Sequence, residues 1–247
     1  MKNIMKVSSY KKESEVTYSL GATVTMEYLN VCPTNVKAVI LHPKFDAVDT
    51  IKKINVICNE HSIPVEVSEK PFNILSKKGN CFVIGVIEKT TDRILGGCHV
   101  VLVNPSDAGN MGTIIRTCAG FGILDIAVIP PAVDMFDPRV VRASMGAKAR
   151  VRMELFDSFE AYEQRFPDNK LYPFMLDGSR ILQDTDIKTP FSLIFGNEAT
   201  GLPSSYKTKG QPVRIEHTDN IDSLNLPTAA GIAIYEATRS VFGTKDV

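Results

Sequence analysis

Three short stretches of this 247-residue chain carry side chains whose types and spacing could do chemistry. The first, NPSDAGNMGTIIRTCAGFG over residues 104–122, places Asn110 and Arg116 among four glycines. On a helix, Met111, Ile114, Ile115 and Cys118 share one face, while Gly112, Arg116 and Gly120 form a stripe on the other. Each glycine costs a helix about 1 kcal/mol against alanine, so a nearly bare face around a cation points to close approach of a ligand or another chain. A surface arginine on a packed helix is the plainer alternative. The second stretch, FGNEATGLP over 195–203, follows an apolar run. Gly196 and Gly201 allow a sharp turn, and Asn197 and Glu198 add donors and acceptors that a plain turn does not need. In the third, IDSLNLP over 221–227, Ser223 and Asn225 stand before a helix that either could cap, with Pro227 tolerable in its first turn. Between residues 138 and 153, Arg139, Arg142, Lys148, Arg150 and Arg152 form a run with no acidic residue. Such a run is a solvated face or, beside a nucleic acid, a phosphate track.

Composition narrows the chemistry. With 28 basic and 28 acidic residues the formal net charge is zero, so any contact with a polyanion must be local. The five cysteines form no CxxC and the four histidines no HxxxH, so neither disulfides nor a metal site is expected. The N-terminus is charged, and no apolar run approaches the roughly 20 residues of a membrane span. These features set the expectation of a cytoplasmic protein with no membrane partner. No GxGxxG or GK[ST] occurs, which argues against a nicotinamide or ATP cofactor.

The elements that must hold these stretches read as two domains. Residues 17–32 have a helical pattern closed by Pro33, 36–41 read as a buried strand, and 48–58 as a helix. Strands at 63–67 and 81–87 flank a helical turn at 72–75, giving a small α/β domain over 1–95. It carries 13 Lys and Arg against 10 Asp and Glu, so it is mildly basic. Residues 88–98 have the composition of a linker. In the second domain, 96–247, strands are expected at 100–103, 126–129, 171–176, 192–195 and 213–215, in a parallel sheet with helices on both faces. Asp157 and Glu160 suggest a capping box for a helix ending near 165. In open sheets of this kind ligands sit beyond the carboxyl ends of the strands, where the chemistry-bearing loops fall.

Taken in order, NMGTIIRTCAGFG, GNEATGLP and SLNLPTAAGIAIYEATR closely resemble the three motifs of the SpoU/TrmH family of RNA ribose 2'-O-methyltransferases, in the SPOUT superfamily. The likeness spans most of 100–240. Residues 1–95 look like that family's L30e-like substrate-binding domain, through the KAVILHP, SIPVEVS and CFVIGVIEK segments. The resemblance implies a trefoil knot in the C-terminal domain and S-adenosyl-L-methionine as cofactor, contacting Gly196, Ile215 and Leu224. It assigns the functional polar positions to Asn110, Arg116, Glu198, Ser223 and Asn225. It also implies a homodimer with active sites completed across the interface, and an RNA substrate, with rRNA expected ahead of tRNA. Two departures stand out. Ile215, Glu216, His217 and Asp219 occupy positions where the family usually has Ile-Pro-Met and a following glycine, and Leu226-Pro227 replaces Val-Ser after the third motif's Asn.

Methyl transfer to a ribose hydroxyl needs in-line positioning and a route for the proton. The resemblance casts Arg116 as general base, but an arginine is effectively always protonated. Holding phosphate and stabilising developing negative charge suits it better, with Glu198, Asn110, Ser223 or water left to take the proton. A non-catalytic RNA binder on the same fold, and a nucleotide-dependent oxidoreductase lacking its fingerprint, are the competing readings. The apolar helix from residue 229 to 242, with only Glu236 and Arg239 charged, independently favours a second covering surface and so a homodimer.

Overall fold

The computed structural model describes residues 7–76 and 80–242. In chain order its first elements are β1 (Val16–Leu20), α1 (Ala22–Val31), β2 (Val36–Leu41), α2 (Val48–Glu60), β3 (Val65–Val67), α3 (Lys70–Leu75) and β4 (Val83–Glu88). Then come β5 (His99–Val103), α4 (Ala108–Gly120), β6 (Asp125–Ile129), α5 (Pro138–Ala143), β7 (Arg152–Leu155) and α6 (Phe159–Arg165). The chain closes with β8 (Lys170–Pro173), β9 (Arg180–Ile181), β10 (Phe191–Phe195), β11 (Val213–Arg214) and α7 (Leu226–Phe242). Two compact units result, Met1–Thr90 with Asp134–Arg150, and Thr91–Val133 with Val151–Val247.

The first unit is a four-stranded sheet in the order β1-β4-β2-β3, with β4 antiparallel to both neighbours and β3 parallel to β2. Strand alternation sorts its core: Val39, Leu41, Val83 and Ile87 meet Val24, Leu29 and Ile54 of α1 and α2 on one face. Ile40, Ile84 and Val86 meet Phe72 of α3 on the other. The single helix expected over 17–32 is instead a strand and a helix. Tyr18 and Leu20 alternate into the core, and Gly21, at φ 117, makes the break.

The second unit holds a parallel sheet in the order β7-β6-β5-β10-β8. Every residue of β5, β6 and β10 is buried, as a sheet covered on both faces requires. Val101, Val103, Ala127, Ile129 and Ile194 face Phe159 and Tyr162 of α6. Helix α4, with Met111, Ile114, Ile115 and Cys118 fully buried, packs on α7, which also packs on β10.

Three expectations for this half are corrected. Residues 213–215 do not join the main sheet; β11 pairs with β9, and the fifth strand is β7, from the basic run, made compatible with the sheet by the Arg152 to Asp125 pair across to β6. Strand β8 stops at Pro173 because the next residues turn to β11, Met175 N–H donating to the Val213 carbonyl at 2.9 Å. The cap of α6 is Ser158, whose hydroxyl accepts from Ala161 N–H, rather than Asp157. The division also differs from a cut at residue 95. Asp134–Arg150 belongs to the first unit, because Val141 is buried with Val24, Leu29 and Ile54 and Arg150 pairs with Glu27 at 2.7 Å. Among the described residues no helix is long and apolar enough to cross a membrane.

Candidate active site

The strand order fixes where a site belongs. From β5 the chain moves outward to β6 and β7, and it later returns on the other side of β5 as β10. The carboxyl ends of β5 and β10 therefore flank the topological switch point, where open α/β sheets bind ligands. The first and second motif stretches are the loops leaving these two strands.

Those loops are knitted together through Asn197 and Glu198. After β10, Asn197 and Gly201 exchange backbone hydrogen bonds at 3.2 and 2.9 Å, closing a tight loop. Gly196 sits so close beneath it that a Cβ would stand 2.2 Å from the Gly201 carbonyl carbon, so only glycine fits. The Asn197 side-chain oxygen accepts from Ala199 and Thr200 N–H at 2.9 and 3.2 Å, and its amide donates to the Asn104 carbonyl at 2.9 Å. Asn104 itself is in the left-handed region at φ 53. Glu198 reaches the start of α4. Its carboxylate accepts from Ser106 Oγ at 2.7 Å, from Ser106 and Asp107 N–H at 3.1 Å each, and more weakly from the Asn197 and Asn110 amides at 3.3 and 3.4 Å. Partial burial works to raise the Glu198 pKa, but the hydrogen bonds led by Ser106 outweigh it and hold the carboxyl below its ordinary 4.5. Asp107 caps α4, accepting from Asn110 N–H at 2.7 Å. Glu198 is therefore an ionised clamp between two loops, with its lone pairs already engaged.

Beside this clamp lies an open cleft of ≈ 390 Å³, within the usual range for small-molecule sites. The stacked rings of Phe174 and Phe195, 4.8 Å between centroids, form part of its apolar wall together with Leu202 and Val213. Gly196, Ile215 and Leu224, the residues expected at a cofactor, all line it, as do Glu198 and Ser223. Asn110, Arg116 and Asn225 do not. Asn110 is tied to the cleft through Glu198, and Asn225 sits at the start of α7, its carbonyl accepting from Ala229 N–H at 3.0 Å. Arg116 is exposed on α4 with no hydrogen-bond or ion-pair partner among the described residues. The bare stripe expected around it is half realised: a Cβ added at Gly120 would meet nothing within 4 Å among the described residues, whereas Gly112 is buried.

The basic run does not form one open track. Arg152 lies in the second unit, bound to Asp125 at 2.6 Å. In the first unit Arg139 pairs with Asp137 at 2.8 Å, Arg142 donates to Asn80 at 3.0 Å, and Arg150 is bound to Glu27. Lys148 is only 7% exposed, its ammonium 5.1 Å from the Phe136 ring centre. Residues that the motifs did not single out also enter the site. Ser106 supplies the shortest bond to Glu198, and Asp177, Lys207 and His217 line the cleft, His217 with a buried Nε2 that has no hydrogen-bond partner among the described residues. Of these, only Ser106 and His217 were within reach, the first inside the glycine-rich stretch and the second at a departure from the family pattern.

Residues 97–235 match the model of the SpoU rRNA methylase family, and the chain belongs to that family of RNA methyltransferases. Among its relatives is a Listeria monocytogenes serotype 4b protein, provisionally named a tRNA (cytidine(34)-2'-O)-methyltransferase. It is 32% identical over 146 residues, 57% of this chain and 86% of the relative. A Syntrophobacter fumaroxidans ribosomal RNA small subunit methyltransferase is 33% identical over 165 residues, 66% of this chain but 32% of the relative. The fold is shared with an AdoMet-bound rRNA methyltransferase from Sinorhizobium meliloti, 24% identical, at a TM-score of 0.78 over 93% of this chain and 89% of that one. Relatives named for both RNA classes occur, so the expected preference for rRNA over tRNA gains no support.

Proposed function

We propose that this chain transfers a methyl group from S-adenosyl-L-methionine to a ribose 2'-hydroxyl in structured RNA. The observation that carries the reading is the convergence of the Glu198 clamp, Ser223 and the apolar cleft at the β5 and β10 switch point. The cleft suits an adenosine and a thioether: its walls are apolar and aromatic, Gly196 and Gly201 bring bare backbone to its edge, and His217 Nε2 is an unsatisfied polar atom beside it. Gly196, Ile215 and Leu224 would hold the cofactor, which when bound supplies an electrophilic methyl group on its sulfonium.

The residues divide the remaining work. Arg116 projects from α4 with its guanidinium uncommitted, suited to grip a phosphate and to stabilise negative charge developing on the ribose oxygen. Glu198, ionised and saturated with donors, is poorly placed to take the proton and instead orients Ser106, Asp107 and Asn110. The exposed Ser223 at the cleft, with solvent, is the better relay, and Asn225 orients the loop that carries it. Arg139, Arg142 and Arg150, on the first unit, are proposed RNA contacts, whereas Lys148 and Arg152 serve structure. The first unit is proposed to act as an L30e-like RNA-binding domain. A homodimer through α7 and a trefoil knot in the second unit belong to the same reading, the dimer supported by Ile232 and Tyr235, exposed at 40% and 58% on an apolar helix.

The test is incubation of the protein with methyl-labelled S-adenosyl-L-methionine and, in parallel, rRNA and tRNA. Label entering one of the two RNAs is the expected result and names the class of substrate. Label in neither, with both RNAs unmodified, would refute the proposal.

A further inference from the structure

Apart from His217, the cleft beside the Glu198 clamp is lined by three ionisable side chains, Asp177, Glu198 and Lys207. Glu198 is committed to five donors and has nothing left to offer. Asp177 and Lys207 remain, and they are bound to one another. Asp177 follows β8, on the segment that turns toward β11, and Lys207 lies in the 3-10 turn Ser204–Thr208 after the glycine loop, so the pair joins two separate rims of the cleft. Their side chains keep 61% and 47% of their exposure, and an ion pair so wet contributes little to stability. Its place on the rim therefore calls for another explanation than holding the fold.

Resting on the cofactor reading above, we infer that Asp177 and Lys207 recognise the zwitterionic amino-acid end of the cofactor. An α-ammonium and an α-carboxylate cannot sit against Phe174, Phe195 and Leu202 without partners, because a charge withdrawn from water must be paired. Asp177 is the acceptor for the ammonium, and Lys207 is the donor for the carboxylate. The exchange replaces one solvent-exposed ion pair by two alternating ones and leaves no charge uncompensated. It also explains why the rim carries one side chain of each sign, where a site for a simple anion would carry cations only. The adenosine and thioether are left to the apolar walls and the glycine backbone.

The inference is tested by calorimetric affinities of the intact protein for S-adenosylhomocysteine and for 5'-methylthioadenosine, which keeps the adenosine and thioether but lacks the amino acid. Wild type is expected to prefer S-adenosylhomocysteine by about tenfold or more, the scale of one charge-assisted bond. Asp177→Asn and Lys207→Met should each lose about tenfold for S-adenosylhomocysteine, with affinity for 5'-methylthioadenosine unchanged. That second affinity also reports that the cleft is still folded. Equal losses for both ligands would mean that the pair reads the nucleoside and would overturn the inference, as would no loss for either. A wild type that binds neither ligand would contradict the cofactor reading itself, and the inference with it.

Discussion

At the scale of single residues, the two charged groups proposed to serve the reaction have opposite surroundings and should fail in opposite ways. Arg116 is exposed and has no partner among the described residues, so Arg116→Ala should leave folding and cofactor affinity near wild type. Methyl transfer should fall by about 10² to 10³, the usual cost of one preorganised charge-stabilising group. Arg116→Lys should recover little, because lysine keeps the charge but loses the planar fork; near-complete activity of that variant in a methyl-incorporation assay would show that a point charge suffices. Glu198 is the reverse case. Glu198→Gln keeps the shape but, because Ser106 and Asp107 N–H donate to different oxygens, turns an amide NH₂ toward one of these two donors in either orientation, and a denaturant titration should show a loss of about 1 to 3 kcal/mol. Because the folded pKa of Glu198 lies below its ordinary 4.5, its contribution is present above that pH and is lost as pH falls through the folded value. The glutamine variant should lack this acid dependence, and an unchanged acid limb would contradict the clamp. Gly196 and Glu198 were legible in the sequence because glycine and polar side chains immediately after an apolar strand have few other uses, whereas Ser223, standing before a helix it could cap, was marked only by the family resemblance. Asp177 and Lys207 were not, since an isolated loop charge acquires its meaning only from what the fold sets opposite it. The pairing of the basic run was hidden for the same reason: the partners of Arg150, Arg142 and Arg152 lie 123, 62 and 27 residues away in the chain.

At the scale of elements, the sheet has a functional end and a supporting end. The loops after β5 and β10 carry the clamp, while the starts of β5 and β10 and the residue before β8 hold a buried polar cluster. His99 Nδ1 meets the Tyr162 hydroxyl at 2.8 Å, His99 Nε2 meets the Leu95 carbonyl at 2.7 Å, and Tyr162 and Asn169 both reach the Ser192 hydroxyl. Burial lowers the His99 pKa below its ordinary 6.5, so the folded state resists a proton that the unfolded chain accepts. The stability from keeping His99 neutral is therefore full above pH 6.5 and is lost as pH falls from there toward the folded value. Thermal melts from pH 8 to pH 5 should show this decline in wild type and a shallower one in His99→Gln; equal slopes would remove His99 from the account. The main strands were readable because buried parallel strands are continuous apolar runs. Strands β1 and β7 were not: VTYSL is too short to separate from the helix that follows it, and RMEL carries two charges on an edge strand. The pairing with β6 becomes sensible once Arg152 is seen bound to Asp125 and Glu154 to Arg165.

At the scale of the whole molecule, α7 leaves Ile232 and Tyr235 uncovered while Ala230, Ala233 and Ile234 are buried, and the Tyr235 ring meets Phe121 edge-on with centroids 6.0 Å apart. Sedimentation at micromolar concentration should find a dimer, and Tyr235→Glu should shift it toward monomer; a monomeric wild type would refute the assembly. The linker composition suggested a cut at residue 95, and the return of Asp134–Arg150 to the first unit was not legible, because sequence neighbours gave no hint that Val141 belongs beside Val24 and Ile54. One consequence is that removing residues 1–95 would strip Val141 of its core, so the second unit cannot be isolated by a single cut. The central claim remains chemical, that the group modified is a ribose hydroxyl. The most direct measurement is alkaline hydrolysis of RNA labelled by the protein, since a 2'-O-methylated ribose cannot assist cleavage of its own 3' phosphodiester. Label recovered in alkali-resistant dinucleotides, from wild type and not from Arg116→Ala, is the result predicted. Label released entirely as mononucleotides would place the methyl group on a base and contradict the account.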